Sequence, residues 1–293
     1  LAGRTTRETT GQSTWIAPGE TWTGDVERTS DMVGGTMSVY VSDQLTEVMM
    51  PTLAELVKYP YGCAEQTASR VLAAALWTTY AGTPTLPDGT NAQDVLDAGL
   101  ARLRDMRTGG GWGWFNDATV DYWTTAHVME TLREIEGLGF AQARPLAQSA
   151  EQAVLEGLKN TKPSYATQMA ARALAATSAD AALLTHLRWT PPVEPGVTPS
   201  EPTSREWVDQ ALAWHRLSEK GVAGAQEARD AALAKLATRR TATISGSVET
   251  YGDMETDLRV LMLRRAMGGD VSPLRVSVMA NRNGAPWANT YLT

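Results

Sequence analysis

The sequence predicts a mainly α-helical protein in which six helical hairpins close into an (α/α)6 toroid, preceded by a short β-rich segment. Two observations carry that expectation. Apolar residues recur at helical spacing through most of the chain, and the helix starts resemble one another at a repeating interval. The division that follows is residues 1–45 as the β-rich segment and 46–293 as the helical domain.

The elements can be justified in order. Residues 1–45 are rich in Thr, Ser, Gly and Trp, and "STWIA", "ETWTGDV" and "GTMSVYVSD" favour extended structure with turns between. Helical spacing then takes over. Val71, Leu72, Ala75 and Leu76 fit one face, and Val95, Leu96, Leu100 and Leu103 another. Further faces are Val128, Leu132 and Ile135; Leu146, Ala150, Ala153 and Val154; and Met169, Ala173 and Leu174. "TPPVEPGVTPSEPTS", 190–204, is a loop or linker, because its prolines remove donors and clash with a preceding turn. Beyond it come Val208, Ala211 and Leu212; Ala232, Leu233 and Leu236; and Leu258, Leu261 and Met262.

The helix starts "EQTASRVLAAAL", "WTTAHVMETL", "YATQMAARAL", "WVDQALAWHRL", "METDLRVLML" and "WANTYLT" each pass from a small polar or acidic residue into an apolar face. Anchored on Thr67, Thr125, Thr167, Asp209, Thr256 and Thr290, they lie 58, 42, 42, 47 and 34 residues apart. The typical interval suits one helix pair with its connections. Polar residues at helix starts also serve as caps, which is the plain alternative. A closed toroid accounts for so degenerate a repeat better than an open solenoid.

Composition narrows function by exclusion. Hydrophobic residues make up 43% and charged residues 20%, an ordinary globular balance. A net charge of -7 without a long basic run argues against nucleic acid and anionic membrane as partners. No apolar stretch approaches the ~20 residues of a membrane span, and no charged-then-apolar secretion signal opens the sequence. His127, His186 and His215 are scattered and give no metal spacing with the single cysteine. "GGGWGW", 109–114, lacks the lysine of a phosphate loop. No metal or cofactor is expected.

That cysteine sits in "KYPYGCAEQTASR", 58–70. It fits four readings: a buried structural cysteine, a nucleophilic thiol at a helix start, a redox or metal ligand, and one half of a thioester. A nucleophile needs a histidine base that the sequence does not nominate, and a redox or metal role needs partner thiols. The thioester reading explains more of the neighbourhood. Cys-x-Glu-Gln spacing lets the Cys63 sulfur and the Gln66 carbonyl meet across one turn, and loss of ammonia would close a ring through Ala64 and Glu65. Gly62 suits the bent approach, and Tyr59 and Tyr61 supply bulk against water. The helix starting at Thr67 could stabilise a departing thiolate.

"YPYGCAEQT" resembles the thioester region of the α2-macroglobulin and complement superfamily, and is most similar to its bacterial members. "GGWGWF" at 110–115, "DYWTTAHV" at 121–128, "YATQMAARAL" and "APWANT" resemble later segments of that domain in the same order. The stretch "GTMSVYVSDQLTEVMMPTLAELVKYPYG" is similar to the strand and helix leading into it, so the likeness runs from about residue 15 to the end.

The resemblance implies a single-use covalent trap for attacking proteases, not an enzyme. Cleavage of a bait segment elsewhere in a larger parent chain exposes the Cys63–Gln66 thioester. A protease lysine then takes the acyl group and Cys63 leaves. It further implies a toroid, a flanking CUB-like or macroglobulin domain split around it to which residues 1–45 would belong, other parent domains as partners, and a periplasmic or cell-envelope location, with secretion as the alternative. The chain would then stop inside the last toroid helix. Tyr59, Tyr61, Trp112 and Trp114 are expected to help shield the bond, with core filling as the alternative for each. Ester-forming members carry a histidine on a loop after the second hairpin. The corresponding "EGLKNTKPS", 156–164, has none, so amines are the expected acceptors and His127 is read as structural. Two other functions stay open. One is a toroid enzyme acting on glycans, with Asp117 and Asp121 as the nominated carboxylates. The other is a thioester-based adhesin or opsonin.

Overall fold

The computed structural model describes residues 16, 19–24, 45–60, 62–116, 119–192, 201–242 and 249–280. Helix α1 (Leu45–Val57) leads into hairpin α2 (Ala64–Tyr80) and α3 (Ala92–Asp105). Three more hairpins follow: α4 (Tyr122–Gly137) with α5 (Arg144–Lys159), α6 (Tyr165–Leu174) with α7 (Ala181–Leu187), and α8 (Ser204–Ser218) with α9 (Ala225–Ala237). A two-stranded antiparallel ribbon, β1 (Thr241–Ala242) and β2 (Glu249–Thr250), precedes α10 (Met254–Ala266) and α11 (Ser272–Ala280).

The first helix of each hairpin packs on its own return helix and on the first helix of the next hairpin: α2 on α4, α4 on α6, α6 on α8, α8 on α10. Their inner faces converge on an axial cavity of about 60 Å³, lined by Trp123 and His127 of α4, Arg172 of α6, Asp209 of α8 and Arg259 of α10. This is the inner ring of a helical toroid. Five hairpins are described; the sixth predicted helix start, at Thr290, lies outside the described residues.

The repeat has a physical basis. Thr67, Thr125, Thr167, Asp209 and Thr256 are all buried on α2, α4, α6, α8 and α10. Thr167 also completes a capping box, its Oγ1 accepting from the Ser164 N–H at 2.8 Å, and Thr256 Oγ1 donates to the N-cap Asp253 at 2.8 Å. Thr125 instead holds a loop, and Asp209 pairs with one arginine on each of the two neighbouring inner helices. Packing, not capping alone, preserves the pattern.

Differences from expectation are local. The predicted α10 face of Leu258, Leu261 and Met262 is displaced. Val260 and Leu263 form the buried face against Tyr251 and Leu274, whereas Met262 is 44% exposed beside the axial cavity. Helices α7 and α11 and the β ribbon had no separate prediction. Ile16 and 19–24 carry neither helix nor strand, and the rest of the predicted β-rich segment lies outside the described residues. Within 190–204, residues 193–200 are likewise outside them, and helix resumes at Ser204.

Candidate functional site

Cys63 is the N-cap of α2, with extended backbone (φ -70°, ψ 170°). Its Sγ accepts from the Gln66 N–H at 3.4 Å, and the Cys63 N–H donates to Gln66 Oε1 at 3.3 Å. This is a capping box in which a thiol replaces the usual hydroxyl. Both side chains fold back over the same turn, the thiol toward Gln66 and the carboxamide toward Cys63.

The surroundings hold that turn rigidly. The Ala64 N–H donates to the Trp114 carbonyl at 3.1 Å, tying the start of α2 to the glycine-aromatic loop. Arg102 of α3 donates to the Gly62 carbonyl at 2.8 Å, and a side chain at Gly62 would meet that guanidinium. The loop owes its shape to "GGG". Thr108 and Gly111 exchange both backbone hydrogen bonds at 3.0 Å around Gly109 and Gly110, whose φ angles are +54° and +94°. Gly111 then approaches Thr125, whose Oγ1 accepts from Trp112 N–H and donates to Trp112 O.

Cys63 is only 4% exposed. Burial pushes its thiol pKa up, outweighing the Gln66 backbone hydrogen bond that pulls it down. For the buried thiol, desolvation outweighs the pull of the helix start.

The predicted shielding residues separate. Trp112 is fully buried, and its indole N–H donates to the Leu103 carbonyl at 2.7 Å, so its ring is core. Trp114 is 44% exposed and stacks on Trp123 at 5.5 Å; Trp123 in turn stacks on His127 at 6.2 Å. Tyr59 is half-buried, and Tyr61 lies outside the described residues. Ala64 and Glu65 are buried in the first turn.

Sequence reasoning missed Ser69, Trp123 and the place of His127. Glu65 Oε2 lies 4.0 Å from Cys63 Sγ, and Oε1 accepts from Ser69 Oγ at 3.2 Å. Ser69 Oγ is 3.3 Å from His127 Nε2. The available signal was spacing: Glu65 with Ser69 and Trp123 with His127 are both i, i+4 pairs. Burial, then Arg259 across the axis, lowers the His127 pKa to about 4, so the ring is neutral near pH 7.

The other candidates have structural duties. Asp121 caps α4, its Oδ1 accepting from the Thr124 N–H at 2.7 Å; Asp117 lies outside the described residues. His186 bridges Thr167 Oγ1 and the Leu158 carbonyl, both at 3.0 Å. Among the described residues no His, Cys, Asp and Glu group has the arrangement of a metal site, and no helix is long and apolar enough to cross a membrane.

A helical toroid whose first inner helix is capped by Cys-x-Glu-Gln defines the class of macroglobulin TED domains. The chain belongs to that family: the family model described as A-macroglobulin TED domain matches residues 31–186, more than half of it. It is 31% identical over 124 residues to alpha-2-macroglobulin of Thermotoga maritima, covering 42% of this chain and 8% of that protein. It is also 31% identical over 133 residues to alpha-2-macroglobulin of Escherichia coli K12, covering 43% of this chain and 8% of that one. Among solved structures, native E. coli alpha-2-macroglobulin from domain MG7 to the C-terminus superposes with a TM-score of 0.55 at 19% identity, over 83% of this chain and 40% of that one. Salmonella alpha-2-macroglobulin reacted with methylamine gives 0.56 at 18% identity, over 82% of this chain and 17% of that one. The chain therefore spans about a twelfth of the curated relatives' length. It is a TED domain of the bacterial alpha-2-macroglobulin-like proteins.

Proposed function

We propose that this domain stores a Cys63–Gln66 thioester and uses it, within a larger protein, to trap attacking proteases covalently. The supporting observation is the reciprocal Cys63–Gln66 capping box, which folds sulfur and carboxamide over one turn of a buried helix start. Loss of ammonia from Gln66 would join Sγ to Cδ. A thioester so made is an acyl donor, and burial of Cys63 keeps water from it. Trp114, stacked on Trp123 in the loop that is tied to the start of α2, and half-buried Tyr59 contribute to the aromatic cover.

Release follows when cleavage elsewhere in the parent protein uncovers the site. A lysine amine of the protease attacks Gln66 Cδ, an amide forms, and Cys63 is freed. At neutral pH few lysines are unprotonated, since their ordinary pKa is about 10.4. Capture raises the effective concentration of the amine enough to compensate. His127 is half-buried, stacked on Trp123 and within hydrogen-bond reach of Ser69, a location suited to support and not to interception of an acyl group. Methylamine should accordingly outcompete glycerol as acceptor. The other domains of the parent protein complete the shield, and the assignment implies an envelope or periplasmic setting.

The test is capture. Full-length protein incubated with a lysine-bearing protease should give a denaturant-resistant adduct that is lost in Cys63→Ala and after methylamine pretreatment. An adduct of undiminished yield in Cys63→Ala would refute the reading.

A further inference from the structure

Glu65 is more heavily built in than a helix-start carboxylate needs to be. A favourable interaction with the helix terminus is available to an exposed side chain. Glu65 is instead 6% exposed, with one oxygen beside Cys63 Sγ and the other receiving the Ser69 hydroxyl. Ser69 is itself buried and meets His127 of the neighbouring inner helix. The direction of the chain follows from its end. A carboxylate only accepts, so Ser69 donates to Glu65, and His127 Nε2–H donates to Ser69. His127 is fixed in turn by its stack on Trp123.

We propose that Glu65 is the proton carrier of the acyl transfer, and that Ser69 and His127 are positioning residues that hold its carboxylate against the sulfur. The proposal rests on the thioester reading above. In the transfer, the lone pair of a neutral amine attacks Gln66 Cδ and forms the C–N bond. The Cδ–Sγ bond breaks with its electron pair going to sulfur. The proton lost from the amine nitrogen passes to Glu65 and from Glu65 to Sγ, leaving an amide, a Cys63 thiol and the carboxylate restored. Cys63 Sγ and Glu65 Oε2 stand 4.0 Å apart, which places the carboxylate beside the sulfur that must receive the proton. A buried site gives the step its importance. Burial disfavours a bare thiolate at Cys63, so the sulfur departs more readily when a proton arrives with it.

The experiment uses full-length protein and methylamine, reading thiol release together with the mass of the peptide containing Cys63 and Gln66. Before methylamine, loss of one ammonia from that peptide establishes the bond. If even the wild-type protein keeps its ammonia, the thioester reading fails and the relay with it. With the bond present, Glu65→Gln should slow aminolysis about a hundredfold, the lower range of general acid–base contributions. Ser69→Ala should slow it about tenfold, the low end for one hydrogen bond to a charged group, and His127→Phe, which removes a bond to the neutral Ser69 hydroxyl, about threefold. The kinetic order separates proton transfer from loosened packing. Wild type should be first order in methylamine, whereas Glu65→Gln should move toward second order as another amine serves as base. Should Glu65→Gln fail to form the bond, Ser69→Ala and His127→Phe, which keep the carboxylate, decide the matter. Wild-type rate and order in the bond-bearing variants would overturn the relay while leaving the thioester intact.

Discussion

Gly110 shows how strictly the loop beside the site is specified. Its φ of +94° suits glycine, and a Cβ there would stand 2.6 Å from Ala153 Cβ on α5. Backbone strain and the clash act together, so Gly110→Ala should destabilise the domain by about 3 kcal/mol, measured by urea unfolding. A loss below about 0.5 kcal/mol would show that the loop yields. His127 supplies a pH signature. Its pKa falls from an ordinary 6.5 to about 4 in the fold, so the unfolded chain binds the extra proton first on acidification. The stabilising contribution is complete above 6.5 and lost as pH falls toward 4. Its size is about 2 kcal/mol, less than the full shift because part of the ring meets solvent. Unfolding free energies at pH 7 and pH 4.5 should therefore converge more in His127→Phe than in wild type; identical pH dependence in both would contradict this environment. At this scale the sequence was legible where chemistry is local. Cys63 and Gln66 are three residues apart and meet in one turn, whereas Ser69 and His127 meet across two helices 58 residues apart.

Helix pairing rests on small residues at close approaches. Gly99 of α3 faces Val71 of α2, and a Cβ at 99 would lie 2.2 Å from Val71 Cγ2. Alanine in a helix gains about 1 kcal/mol over glycine, but overpacking a stiff β-branched neighbour costs about 1–3 kcal/mol. The clash should win, so Gly99→Ala should lower the melting temperature and Gly99→Ala/Val71→Ala should recover part of it. A stabilised single variant would refute the close packing. Element legibility followed length and periodicity. Helices α2 to α6 have long apolar faces and came through clearly. The seven residues of α7 hold too few turns to show a period. In α10, which is charged on several sides, buried Thr256 and Asp257 carry part of the inward face, so apolar spacing alone misplaced it. Strands β1 and β2 are two residues each, too short for an alternation to register.

Neighbouring inner helices of the toroid are joined by charge as well as by apolar packing. Asp209 of α8 pairs with Arg172 of α6 at 3.4 Å and with Arg259 of α10 at 2.6 Å, all within the ring. Removing Asp209 leaves buried Arg172 without its carboxylate, while Arg259 keeps Glu255, so Asp209→Ala should cost about 3 kcal/mol. Circular dichroism melts that leave Asp209→Ala within a degree of wild type would deny the network its role. The ring matters to function because it is the frame behind α2 and α4, the helices that bring Cys63, Glu65, Ser69 and His127 together. Its repeat was visible from buried polar anchors, but which cations would face Asp209 was not, since ion-pair partners 37 and 50 residues away leave no spacing signal. The most direct measurement is the intact mass of the peptide containing Cys63 and Gln66 from freshly prepared full-length protein. The domain described here predicts a peptide lighter by one ammonia, no alkylatable thiol, and recovery of that thiol with one methylamine on Gln66 after treatment. A peptide of full mass with a freely alkylated Cys63, in protein that still captures proteases covalently, would contradict it.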